Sequence, residues 1–155
     1  MIKDNLVDDI HFHRLKPLMI SKFAPIIQDN LVSSMIAHEV GPDVLPRLMK
    51  GVHHQDIHVW VAFTGEGESK RLVGMVFTQI MVDPYLDTRQ LTVYGLNLKV
   101  QITDKAFSDC IEVLTKFGRT HGCSSLWAQT QVSGVGKLME RDGWETKTTL
   151  HEKEI

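Results

Sequence analysis

His54, Asp56 and His58 alternate along one stretch of the chain. In an extended strand, residues two apart project from one face, so two imidazoles and a carboxylate at this spacing could hold zinc or another transition metal. A polar loop entering a strand accounts for the same residues, with Ile57 and Val59 in the core and the histidines facing solvent. No fourth ligand accompanies them, and no metal is expected. His11 and His13 alternate likewise and read as a surface pair. Cys110 and Cys123 are the only thiols. Each falls where a helix and the following strand should be buried, so they read as reduced core thiols of a cytoplasmic-type protein, not as a disulfide. No histidine sits where it would orient either one as a nucleophile.

The other place for chemistry lies between Leu91 and Trp144. LTVYGLNLKV reads as a strand, TDKAFSDCIEVLTKFGRTHGC as a helix, SSLWAQT as a second strand, and KLMERDGW as the close of a short helix. A strand, a crossover helix and a second strand close as a right-handed parallel unit. The end of the first strand and the start of its helix then form a place for a phosphate-bearing ligand. Thr103 or Asp104 can cap that helix, and Ala106, Phe107, Cys110, Ile111, Leu114 and Phe117 give it a buried face.

The elements around this unit follow from the hydrophobic period. Residues 1–52 read as helical, with Ile10, Leu15, Leu18, Met19 and Phe23 on one stripe. Pro17 and Pro25 divide the first part into short pieces, and Asp29 or Asn30 can cap a second helix carrying Leu31, Val32, Met35, Ile36 and Val40. Gly41-Pro42-Asp43 turns the chain into a short helix with Val44, Leu45, Leu48 and Met49, closed at Gly51. From Ile57 the period becomes two. HVWVAF and RLVGMVFTQIMV flank the turn GEGES and form an antiparallel hairpin, with Gly74 marking a bulge or a close backbone approach. Lys137–Arg141 is a short helix, and Trp144–Leu150 a Thr-rich last strand. Trp60, Trp127 and Trp144 read as core, as do most methionines. Trp60 alternates away from Ile57, Val59 and Val61, which suits a place under the N-terminal helices or in a binding surface.

Residues 1–155 make one domain, long enough to bury a core. A formal charge of −2 and no basic stripe exclude a nucleic-acid footprint. No apolar run is long enough to cross a bilayer, and the acidic start MIKDNLVDD is not a secretory signal.

The order of elements is that of an α/β sandwich with a mixed, mostly antiparallel sheet flanked by helices. Over residues 57–150 it resembles the GCN5-related N-acetyltransferase family. GRTHGCSSLWAQT resembles the end of that family's central helix and its fifth strand, and KLMERDGWE its following helix and Gly-aromatic pair. HVWVAF and RLVGMVFTQI resemble the second and third strands, and Ile10–Phe12 is the candidate first strand. The resemblance implies an acyl donor, acetyl coenzyme A, with its pantetheine along Leu98, Lys99 and Val100. It implies phosphates near Thr103, Lys105 and Ala106, and Ser133 close by. The family's loop carries Arg/Gln-x-x-Gly-x-Gly/Ala; residues 102–107 here, ITDKAF, hold no glycine and no arginine. Asp104 places negative charge where a diphosphate would lie. Met139 stands where many members carry the tyrosine that protonates the leaving thiolate, and Val132 where they carry an asparagine. No general acid or base is identifiable; Tyr94 and Asn97 are the useful polar groups of the fourth strand.

The resemblance therefore implies an N-acyltransferase acting on an amine by positioning alone. Its alternative is a non-catalytic binding or structural protein of the same fold, working with a protein partner or a second copy. Compact chains with such patterns look similar to proteins encoded in bacteriophage genomes, including virion-associated ones, which implies a host-cytoplasmic or virion location.

Overall fold

The structure, a computed structural model, describes residues 6–34, 43–129, 133–147, 151 and 153–155. Its elements run β1 (His11–Arg14), α1 (Ile20–Ser34), α2 (Val44–His53), β2 (His58–Thr64), β3 (Arg71–Asp83), β4 (Thr88–Leu98), α3 (Asp104–Thr120), β5 (Ser125–Ala128) and α4 (Ser133–Arg141). The sheet has the order β1-β2-β3-β4-β5. Its pairs are antiparallel as far as β4, and β4 pairs with β5 in parallel. This is the mixed, mostly antiparallel α/β architecture that the sequence pattern implies.

Helices cover both faces of the sheet. Ile27 and Leu31 of α1 and Val52 of α2 pack with Val59, Val61, Met75 and Phe77 on one face. On the other, Leu114 of α3 packs with Trp60 and Leu91, flanked by Phe12, Val76, Val93 and Phe117. Alternation along β2 thus sends Val59 and Val61 one way and Trp60 the other, and both sides are buried. Trp60 lies beneath α3 with Phe12 stacked on it at 5.6 Å, not under the N-terminal helices and not on a surface.

The N-terminal part departs most from its expected form. Residues 11–14 are a strand, paired from His11–Phe63 to Arg14–Trp60, because β2 has a free edge and Phe12 buries itself by joining it. The expected first strand at Ile10–Phe12 is therefore present one residue later. Pro25 does not break α1, which runs through it; Asp29 and Asn30 are interior to that helix and cap nothing. The missing N–H of Pro25 costs one helical hydrogen bond, while Ile20, Ile27 and Leu31 keep the helix on the sheet. α2 continues past Gly51, whose bare Cα lets Ile57 pack close: a Cβ there would lie 3.0 Å from Ile57 Cδ1. Trp127 and Met81 are about half exposed rather than in the core. Residues 144–147 are not a strand. Residues 148–150, and the expected positions Met35, Ile36, Val40, Gly41, Pro42 and Val132, lie outside the described residues. Among the described residues no helix is long and apolar enough to cross a membrane.

Gly74 is both a bulge neighbour and a close approach. Ala62 faces Gly74 and Phe63 faces Leu72, so Val73 is the extra residue. A Cβ on Gly74 would lie 2.8 Å from the Asn97 carbonyl oxygen on β4. Gly74→Ala should therefore push β3 from β4 and cost about 1–3 kcal/mol, read as a lowered urea midpoint. An unchanged midpoint would show that the strands separate freely there.

Candidate functional site

β4 is the strand that opens the sheet. It pairs with β5 only from Gln90–Ser125 to Val93–Ala128. Directly beyond, Thr78 faces Val93 and Phe77 faces Gly95, which leaves Tyr94 as the extra residue of a bulge. Among the described residues, β4 then runs on to Leu98 with no β5 partner. The Lys99 N–H donates to the Val73 carbonyl on the β3 side at 2.8 Å. Strand alternation turns the backbone groups of Leu96 and Leu98 the other way, into the opening. Behind the opening lies a cavity of about 80 Å3, bounded by β4, α3 and α4 and lined by apolar groups; Asn97 borders it but turns its amide to Asn30 of α1 on the other face of the sheet.

The start of α3 is already supplied with partners from its own chain. Thr103 is the N-cap, and its Oγ1 accepts the Ala106 N–H at 3.2 Å. The Thr103 hydroxyl donates to Asp8 Oδ1 at 2.7 Å. Its N–H donates to the Val7 carbonyl at 3.0 Å, and the Val7 N–H donates to the Gln101 carbonyl at 2.8 Å. Residues 7–8 thus lie across the loop in a short parallel bridge to Ile102. Asp104 accepts two hydrogen bonds from Arg141 of α4, from Nε and Nη2, each 2.9 Å. This bidentate pair raises the Arg141 pKa and ties α4 to the helix start. The helix dipole is met by the carboxylates of Asp8 and Asp104.

The expected site residues divide accordingly. Leu98 lines the cavity. Lys99 is exposed and Val100 half-buried on the way to the loop. Ala106 donates its N–H to Thr103 Oγ1 and Thr103 its N–H to the Val7 carbonyl, so neither offers a free N–H group. Lys105 points along its helix to Asp109, at 2.8 Å, and that hydrogen bond raises its pKa. Ser133 is the first residue of α4. Asn97 donates to Asn30 Oδ1 at 2.9 Å, and Asn30 in turn to the Ile26 carbonyl, which fixes β4 against α1. Tyr94 is exposed at the bulge, and Met139 lines the cavity. Asp8 belongs to no motif, and Arg141 belongs to KLMERDGWE with no role attached to it, because their roles arise from contacts 95 and 37 residues away in sequence.

The histidine stretch is a structural cluster. His58 is buried, against the solvent-side placement expected from its polar neighbours, because α3 covers that face. Its Nδ1 lies 2.9 Å from Thr78 Oγ1, which also accepts the Trp60 indole N–H at 2.9 Å. Phe117 packs edge-on to both rings. Burial, then the Arg14 guanidinium and His121, push the His58 pKa from 6.5 down to about 4. His54 is exposed, and no metal-holding cluster exists among the described residues. Cys110 lines the apolar cavity, and burial, then Asp109, push its thiol up to about 11, so it is an inert side chain.

A helix-flanked sheet opened between its fourth and fifth strands defines the class: this is the GNAT acetyltransferase fold. An aminoglycoside acetyltransferase from an uncultured soil metagenomic sample superposes with a TM-score of 0.64 at 16% identity, covering 94% of this chain and 95% of that one. A predicted acetyltransferase with acetyl-CoA from Clostridium acetobutylicum gives 0.63 at 9% identity, covering 94% and 96%. A GNAT family acetyltransferase from Staphylococcus aureus gives 0.62 at 14% identity, covering 94% and 98%. No protein-family model matches the chain, and no curated protein matches it. These identities carry the fold and leave the chemistry to this chain's own residues.

Those residues fit one part of coenzyme A and not another. The free edge of β4 and the apolar cavity suit a pantetheine arm and a thioester. The start of α3 does not suit a diphosphate, since Asp8 and Asp104 present carboxylates there and the Thr103 and Ala106 N–H groups are taken.

Proposed function

We propose that the chain is an N-acyltransferase whose donor is an acyl thioester of the acetyl-coenzyme A kind, laid along the open edge of β4. The observation that carries this is the parting of β4 from β5 after Val93 and Ala128, above an apolar cavity. Leu96 and Leu98 would hold the pantetheine amides by backbone hydrogen bonds, in the manner of an added strand. The helix start, with its own carboxylates, leaves the nucleotide end of the donor in solvent. Among the described residues no side chain at the opening is placed to relay a proton: Met139 has none to give, and Asn97 is committed to Asn30. Transfer to an amine would rest on holding the thioester carbonyl and the amine in contact while water is excluded. The acceptor would approach at the bulge, where Tyr94 is exposed.

Calorimetric titration with acetyl-CoA tests this. Saturable heat below millimolar ligand is the expected result, and none at millimolar would contradict it. Lys105→Glu is expected to change that affinity by less than about twofold, because Lys105 serves Asp109 and no phosphate.

A second reading starts from the Asp8–Thr103 contact: a non-catalytic member of the fold, whose helix start is closed by its own chain and whose function would be to bind a protein. It predicts co-assembly with a partner and no thioester turnover, which native mass spectrometry and a free-thiol assay would separate from the first.

A further inference from the structure

We infer that the acyl group taken at this site is an uncharged aliphatic chain longer than acetyl, housed in the cavity beneath β4. This rests on the acyl-thioester reading and names its substrate class. The cavity measures about 80 Å3 and reaches from Ala128 and Met139 at the opening to Phe12, Ala62 and Leu114 in the interior. An acetyl group would place a single methyl in it. A methylene fills roughly the volume of a water molecule, about 30 Å3, so the space takes roughly three carbons beyond the first.

The lining selects the chemistry of that chain. Among the described residues its surface is apolar, the Asn97 amide being turned through the sheet to Asn30 of α1. Cys110 is kept protonated by burial. A cavity lined in this way does not hold water stably, because a water needs two to four polar partners. It would refuse a carboxylated or hydroxylated acyl group for the same reason. Met139 in its wall can adjust to chains of differing bend. The position is also suitable. The same Leu98 that ends the open edge of β4 borders the cavity, so a thioester lying on that edge directs its acyl group inward.

The test is calorimetric titration with acyl-pantetheines, which carry no nucleotide and so keep the α3 carboxylates out of the comparison. Affinity should rise about fourfold for each added methylene from acetyl to pentanoyl, then level off by heptanoyl. Ala62→Leu fills the inner end and should abolish the rise. Ala128→Leu narrows the outer end and should do the same if the first variant unfolds, which thermal melting would reveal. A flat series from acetyl to pentanoyl would overturn the inference while leaving the acyl-transfer reading intact. A rise that survives both fillings would overturn it too, by showing that the chain binds elsewhere. Failure of every member to bind would overturn the acyl reading, and this inference with it.

Discussion

Thr78→Val is expected to destabilise the protein by about 2–6 kcal/mol, at about 1–3 kcal/mol for each buried group left unpaired. Thr78 is fully buried, and its hydroxyl serves two partners. It accepts from the Trp60 indole and shares a second hydrogen bond with His58 Nδ1, whose direction is set by the imidazole tautomer. Valine matches the shape and removes both bonds. The indole N–H and the imidazole Nδ1 would then be buried unpaired beneath Phe117. Urea unfolding would measure the effect, and a change below about 1 kcal/mol would show that water replaces the hydroxyl. The same cluster sets a pH dependence. Because the folded His58 titrates near 4 and the unfolded one near 6.5, the unfolded chain binds the extra proton between those values. Stability is therefore full above pH 6.5 and declines as pH falls toward 4. Allowing for partial solvent access, the loss between pH 7 and pH 5 should be roughly 1–2 kcal/mol. His58→Gln should flatten that slope; an unchanged slope would assign it to other groups.

The second large effect is expected at the start of α3. Neutralising both carboxylates, Asp8→Asn with Asp104→Asn, should raise the affinity for coenzyme A about tenfold or more, a gain of about 1.4 kcal/mol. Two negative charges leave the region of the helix N-terminus, and the dipole becomes available to an anion. Arg141 is also released from its bidentate bond with Asp104 and can turn to the phosphates. Pantetheine, which has no phosphate, should bind both forms alike. That difference separates an electrostatic cause from a general loosening of the loop. Equal affinity of the variant and the native chain for coenzyme A would mean that the nucleotide never approaches α3.

Much of the fold was legible because it is written in local patterns. The period-two stretches of β2, β3 and β4, the Thr103 cap and the apolar stripe of α3 each depend on residues a few positions apart. β1 was harder to place, since four residues with alternating burial carry little signal until a partner edge exists. The faces of β2 were misjudged for a related reason. Alternation states which residues share a face, but not that helices cover both faces, so His58 and Trp60 looked exposed or exceptional when both are core. At the site, the missing glycines and the methionine at position 139 could be read directly. What fills the place of the missing groups could not, because Asp8 reaches Thr103 across 95 residues and Arg141 reaches Asp104 across 37. The cavity was likewise invisible to pattern, being a small mismatch of volumes contributed by β1, β2, β3, β4, α3, β5 and α4.

The central claim is that an acyl thioester lies along β4 where that strand leaves β5. Backbone amide shifts of the isotopically labelled protein, followed through a titration with acetyl-pantetheine, address it residue by residue. Saturating shifts are expected at Leu96, Leu98, Ala128 and Val135, which border the opening, with Val52 and His54 unmoved on the far side of the sheet. Shifts confined to residues away from β4 and β5, or no shift at millimolar ligand, would contradict it.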